Sequence, residues 1–227
     1  LADTLTQVST IDALLDGVYD GVMTFDRLKT YGDFGIGTLA GLDGEMIAFD
    51  GKFWQIKADG VAYPVTGKMV TPFAAVTFFD VDETYVLPAG MDYDGLKAYL
   101  DARIEMLNAF HAIKIEGAFS YMKTRSVSAQ QKPYPPLAEV TKFQPEFEMH
   151  NVTGTVVGFR CPDYVAGVNV PGWHLHFLTE DKTAGGHILA FTIVQATAQV
   201  DVTGEFRMIL PDSSSDFYAA DLSEDRS

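Results

Sequence analysis

The chain has one cysteine in 227 residues. Cys161 alone therefore excludes an intrachain disulfide and any cysteine-based zinc cage. With no adjacent His or Lys to stabilise a thiolate, it reads as packing rather than chemistry. Positive charge is also scarce: 16 Lys and Arg stand against 31 Asp and Glu, a net charge of −15. Such a surface repels a phosphate backbone and argues against nucleic acid as a partner. It also sets a condition: a site for a small anion must make its own positive field, from a metal and at least one cationic side chain. No apolar run approaches the ~18 residues of a membrane span. No charged segment followed by an apolar one opens the chain, so no signal peptide is expected. The first residue is Leu1 rather than Met, which fits a processed or trimmed form. These features predict a soluble protein, with cytoplasmic and exported locations both open.

Histidine is scarce too, five in all, yet His174, His176 and His187 crowd into one short stretch. Neutral imidazole is the commonest protein ligand for zinc, and catalytic zinc usually keeps three protein ligands and one open position. On a strand, His174 and His176 project from the same face. Residues 179–186 are rich in turn formers and predict a hairpin loop. A hairpin centred on Asp181 and Lys182 sets His176 opposite His187, so all three rings converge. A register slip of one residue would turn His187 away. The competing reading is separate histidines satisfied by hydrogen bonds. The apolar flanks and the hairpin spacing favour a divalent metal, zinc or another imidazole-binding ion.

The rest of the chain predicts an α+β fold of mixed and antiparallel sheets with few helices. Ser9 and Thr10 precede Ile11, Leu14, Leu15 and Val18 at helical spacing, a capped amphipathic helix. Asp43-Gly44, Asp50-Gly51 and Asp59-Gly60 punctuate a series of hairpins. Residues 73–79 read as a buried strand, 94–107 as a second helix and 113–127 as a long strand. Residues 130–136, with three prolines, form the clearest linker. This predicts two domains: residues 1–132, an α/β domain with a mixed sheet, and residues 133–227, a β-rich domain. The second carries the histidine hairpin and an acidic, Ser-rich tail, mobile unless it folds back. His111 reads as the end of the second helix, where a cation suits the dipole, and His150 as a structural residue in a polar segment.

Two charged residues stand on apolar faces. Alternation puts Glu45 with Ile47 and Phe49, just after Asp43-Gly44; a solvated strand-end carboxylate is the plainer reading. Arg125 shares a face with Phe119 and Tyr121, where a guanidinium needs a carboxylate or an anionic ligand. Lys123 has the same parity, so surface ion pairing competes. His174, His176 and Glu180 also form a His-x-His-x-x-x-Glu pattern similar to the first cupin motif, though no second motif follows.

Several segments together resemble the α-acetolactate decarboxylase family over nearly the full length. They are Val8-Ser9-Thr10-Ile11-Asp12-Ala13-Leu14, Gly35-Ile36-Gly37-Thr38-Leu39 with Leu42-Asp43-Gly44-Glu45, and Phe119-Ser120-Tyr121-Met122-Lys123-Thr124-Arg125-Ser126. Gly172-Trp173-His174-Leu175-His176-Phe177 with Gly185-Gly186-His187 completes the set. The resemblance implies a two-domain α/β homodimer that converts 2-acetolactate, a small 2-hydroxy-3-oxo acid, to (R)-acetoin and carbon dioxide, a step toward butanediol. It implies zinc on His174, His176 and His187, with neither thiamine nor pyridoxal phosphate. The metal would act as a Lewis acid on the ketone and hydroxyl oxygens and stabilise an enediolate. Glu45 would handle protons, Arg125 would grip the carboxylate, and Thr38 would line the substrate pocket with Arg125. The family also brings a tail glutamate near the metal, for which Glu224 or a residue past Ser227 is the candidate. Two alternatives stay open: a zinc hydrolase with Glu45 as base, and a cupin-like binding module that uses Glu180.

Overall fold

Strand formers and tight turns dominate the sequence, and strands dominate the computed structural model, which describes residues 3–223. Glu224 lies outside the described residues. The elements run β1 (Thr4–Val8), α1 (Ile11–Leu15), β2 (Met23–Thr24), α2 (Phe25–Leu28), β3 (Phe34–Thr38), β4 (Glu45–Phe49), β5 (Lys52–Ile56) and β6 (Ala62–Pro64). Then come β7 (Val70–Thr71), β8 (Ala74–Thr77), β9 (Glu83–Leu87), α3 (Tyr93–Asp101), β10 (Phe110–Arg125), α4 (Leu137–Val140) and β11 (Glu146–Cys161). The last are β12 (Gly172–Thr179), β13 (Gly185–Thr203) and β14 (Glu205–Ile209). This is the expected α+β class.

One sheet has seven strands in the order β14-β1-β8-β3-β4-β5-β6. Its pairs are antiparallel except β14 on β1, which is parallel. The other has five strands, β10-β11-β12-β13-β9, and a further β10–β13 pairing closes four of them into a ring. The chain crosses to the second sheet at β9 and returns with β14, so the sheets do not change over at residues 132/133. The linker separates two neighbouring strands of one sheet, β10 and β11.

The two sheets share apolar contacts. Leu5, Phe34, Ile36 and Ile47 of the first pack with Ala112, Val157, Phe159 and Leu178 of the second. The ring interior holds Ile113, Phe119, Phe177 and Phe191, and α3 covers it with Leu96 and Leu100. Each such side chain, fully buried, contributes roughly 1.5–3 kcal/mol. Thr10 caps α1 by accepting from the Ala13 N–H, so that Ile11 and Leu14 are held against the core.

Two expectations need correcting. The second helix stops at Asp101 rather than residue 107. The chain then turns so that Phe110 can pair with Thr203, and sheet pairing overrides helical spacing. His111 is consequently not a helix terminus. It sits on β10, fully buried, and burial pushes it down to about 4, so it is neutral. The tail, expected to be mobile unless it folds back, meets the rest of the chain at Asp216, which lies 3.5 Å from Lys132; Lys132 also binds Asp20.

Asp201 on β13 is a fully buried acid outside the histidine cluster. One carboxylate oxygen accepts from the Asp80 N–H at 3.2 Å; the other is buried without a partner among the described residues. Burial pushes the carboxyl up to about 7, reinforced by Asp3, Asp82 and Asp80. The folded chain thus keeps a proton that the unfolded chain has released, and stability falls as pH climbs from the ordinary carboxylate range to about 7. Asp201→Asn removes this penalty. Its melting temperature should match wild type near pH 4 and exceed it by about 2–4 °C at pH 8. Equal melting temperatures at pH 8 would show that Asp201 is not strained.

Candidate active site

The site forms where β4 of the first sheet meets the β12–β13 hairpin of the second. The register of that hairpin pairs His176 with His187, as the turn at Asp181 and Lys182 predicts. Gly186 precedes His187 with φ 136°, and a side chain there would strike the Arg125 carbonyl. Only glycine lets β13 approach β10 so closely at this point.

The three rings converge. His174 Nε2 lies 3.1 Å from His187 Nδ1 and 3.2 Å from His176 Nε2. His176 is fully buried, and its Nδ1 donates to the Met46 carbonyl at 2.8 Å. That bond leaves Nε2 with its lone pair facing the cluster. Burial lowers His174 to about 4 and drives His176 and His187 well below the ordinary imidazole range; Arg125 and the neighbouring rings push the same way. All three are therefore neutral at pH 7, the state in which imidazole ligates a metal. Tetrahedral ligands at 2.0–2.1 Å stand roughly 3.3 Å apart. The two spacings from His174 are close to that, and all three ligand atoms lie within 4.8 Å of one another, so this group is compatible with a metal ion. Among the described residues it is the only such group of His, Cys, Asp and Glu.

Glu45 opens β4 directly opposite Thr38. The turn between them needs Gly44, which has φ 86° and would collide with the Ile56 carbonyl if it carried a side chain. Glu45 is not the solvated strand-end carboxylate that its position suggests. Its side chain is only 12% exposed, and Oε2 lies 3.5 Å from His176 Nε2. Burial pushes this carboxyl up to about 7, and Arg125 holds it down in part. Thr38 is buried, and its hydroxyl donates to the Gly44 carbonyl at 2.7 Å. Its oxygen can therefore still accept a hydrogen bond.

Arg125 ends β10, with His187 across from it on β13 and Glu146 on β11. Register shifts between Ala118 and Tyr121 and again at Lys123 break the simple alternation read from sequence. Tyr121 and Lys123 thereby reach Glu148 and Glu146 outside, while Met122 and Thr124 go in. Arg125 does not make the surface ion pair that was the competing reading. Nη1 donates to Gln144 Oε1 at 2.8 Å, Nη2 lies 3.4 Å from His187 Nε2, and the buried Nε has no partner among the described residues. No described carboxylate is within ion-pairing distance of it.

These groups line one cavity of about 470 Å³. Glu45, Arg125, Thr38, His174 and His187 form its polar end. Ile11, Leu14, Leu42, Phe73, Val127 and Leu137 form apolar walls. Glu180 belongs elsewhere. It is exposed after β12 and lines a separate surface groove, so the cupin-like arrangement is not formed. Sequence reading missed two groups that complete the site. The Met46 carbonyl is backbone and leaves no sequence signal. Gln144 lies two residues before Arg125's cross-strand partner, which the β10–β11 register alone reveals.

Fold and site together define the class: a β-rich enzyme whose centre is compatible with a metal ion. Residues 5–224 match the family described as alpha-acetolactate decarboxylase. The chain belongs to that family, whose members are carboxy-lyases. It is 54% identical to the alpha-acetolactate decarboxylase of Methanosarcina mazei over 98% of this chain and 77% of that one. Identity to the Methylococcus capsulatus protein of the same name is 49%, over 97% of this chain and 84% of that one. The crystal structure of the Bacillus subtilis strain 168 enzyme superposes with a TM-score of 0.95 at 41% identity, covering 97% of this chain and 94% of that one. Family membership displaces the hydrolase alternative. No helix among the described residues is long and apolar enough to cross a membrane.

Proposed function

We propose that this protein decarboxylates 2-acetolactate to (R)-acetoin and carbon dioxide, with a zinc ion held by His174, His176 and His187. The observation that carries this reading is the convergence of three neutral imidazoles beside Glu45 and an unpaired Arg125. When bound, the zinc supplies a Lewis acid at the ketone and hydroxyl end of the substrate. Everything else falls to the chain. Arg125 receives the substrate carboxylate with donors that no described carboxylate has neutralised. It also answers the charge problem, since a net charge of −15 would otherwise repel the substrate. Thr38, its own proton committed to Gly44, accepts from the substrate hydroxyl. The carbon–carboxylate bond breaks, the electron pair stays on the substrate, and one proton is added. Glu45, 3.5 Å from His176 Nε2, moves that proton in this reading. The expected homodimer is part of the same reading.

The direct test is stoichiometric release of carbon dioxide and acetoin from 2-acetolactate; neither product appearing would reject the reading. Arg125→Ala is expected to lose about 100-fold in kcat/KM, the scale of one well-placed electrostatic group. A rate within threefold of wild type would reduce Arg125 to a structural residue.

A further inference from the structure

The environment of Arg125 presents a puzzle. Its cross-strand partner on β11 is a carboxylate, Glu146, the ordinary neighbour for a guanidinium. Yet Glu146 pairs with Lys123 at 2.6 Å. Gln144 occupies the place nearest Arg125 and accepts from Nη1 at 2.8 Å. Gln144 also stands beside Glu146, on which Lys123 acts most strongly and Arg125 only weakly. A glutamate at position 144 would make the same contact and cancel the charge. The amide oxygen orients the fork without cancelling it.

We propose that Gln144, Glu146 and Lys123 form a charge-sorting relay that keeps Arg125 positioned and free of a direct ion pair, open to an anionic ligand. Gln144 is the positioning residue. Lys123, on the outer surface, is the clamp that keeps Glu146 away. The inference rests on the reading that Arg125 meets the substrate carboxylate. It adds that affinity for the carboxylate is set by residues outside the cavity.

The relay makes a demand that a merely structural role does not: carboxylate binding must suffer while neutral binding does not. Metal-loaded protein is titrated calorimetrically with 2-hydroxyisobutyrate, an unreactive hydroxy acid, and with acetoin, which has no carboxylate. Gln144→Glu is expected to weaken 2-hydroxyisobutyrate about tenfold or more, as an ion pair replaces a neutral hydrogen bond. Acetoin should bind within about twofold of wild type. Lys123→Met frees Glu146 and should weaken 2-hydroxyisobutyrate about threefold or more. The Lys123–Glu146 pair is partly exposed and contributes little to stability, so this variant folds even if Gln144→Glu does not. Adding Glu146→Gln to Lys123→Met should restore affinity at unchanged net charge.

Equal losses for both ligands, no loss in either variant, or failure of the double variant to recover would overturn the relay. Arg125→Ala separates this from the parent reading. If that variant binds 2-hydroxyisobutyrate normally, the carboxylate role of Arg125 is wrong. If it loses binding while Gln144→Glu and Lys123→Met do not, only the relay is wrong.

Discussion

Stripping the bound metal with a chelator is expected to reduce carbon dioxide release from 2-acetolactate to background, and Zn²⁺ is expected to restore it. The argument is electrostatic. Burial keeps His174, His176 and His187 neutral, so each ring has a lone pair that can go to a metal ion at pH 7. A divalent ion satisfies them and supplies the positive charge that an acidic chain needs at this point. Loss of the ion should also register away from catalysis. With free zinc at 100 times its Kd, the metal stabilises the folded state by about 2.7 kcal/mol. That corresponds to a melting temperature roughly 5–10 °C higher. His176→Ala should abolish both the metal content and this thermal shift. Undiminished turnover by fully stripped protein would end the metal reading, whatever the fold.

Glu45→Gln is expected to lower kcat by about 10³, within the range for a positioned acid or base. Glutamine keeps the shape of the side chain and its reach toward His176. It cannot give or take a proton. The burial that pushes Glu45 up to about 7 places it where both directions of transfer are accessible near neutral pH. The loss should fall on kcat, with KM changed far less, because Arg125 and Thr38 supply the substrate contacts in this reading. Metal content should stay at wild-type level, which separates lost proton transfer from a disrupted histidine cluster. A kcat within threefold of wild type, with metal retained, would remove Glu45 from the chemistry.

Much of the site could be read from residue spacing because its signals are local. A hairpin of standard length joins His176 to His187, and strand alternation places His174 beside His176. Glu45 and Arg125 stood out as charges with apolar neighbours, but their plainer readings as solvated or surface-paired groups were wrong. What corrected them is nonlocal. Glu45 faces His176 because β4 packs under a hairpin more than 120 residues further along the chain. Arg125 reaches the cavity after register shifts in β10 that period-2 counting cannot register. The same holds for the fold. Helix 94–107 was read too long because β10 claims the chain at Phe110, and His111 changed from a helix end to a buried strand residue with it. The linker at residues 130–136 was a sound signal of irregular chain. It joins two strands of one sheet and does not mark the change from one sheet to the other.

The bond from His176 Nδ1 to the Met46 carbonyl has a bearing on engineering. The hairpin of residues 172–187 is self-contained in sequence and invites transplantation into another scaffold. It would arrive with its imidazoles but without the carbonyl that orients one of them, the acid from β4 or the guanidinium from β10. The centre is not a portable cassette. A host would have to provide the underlying sheet at matching depth and angle before the graft could do more than collect stray ions.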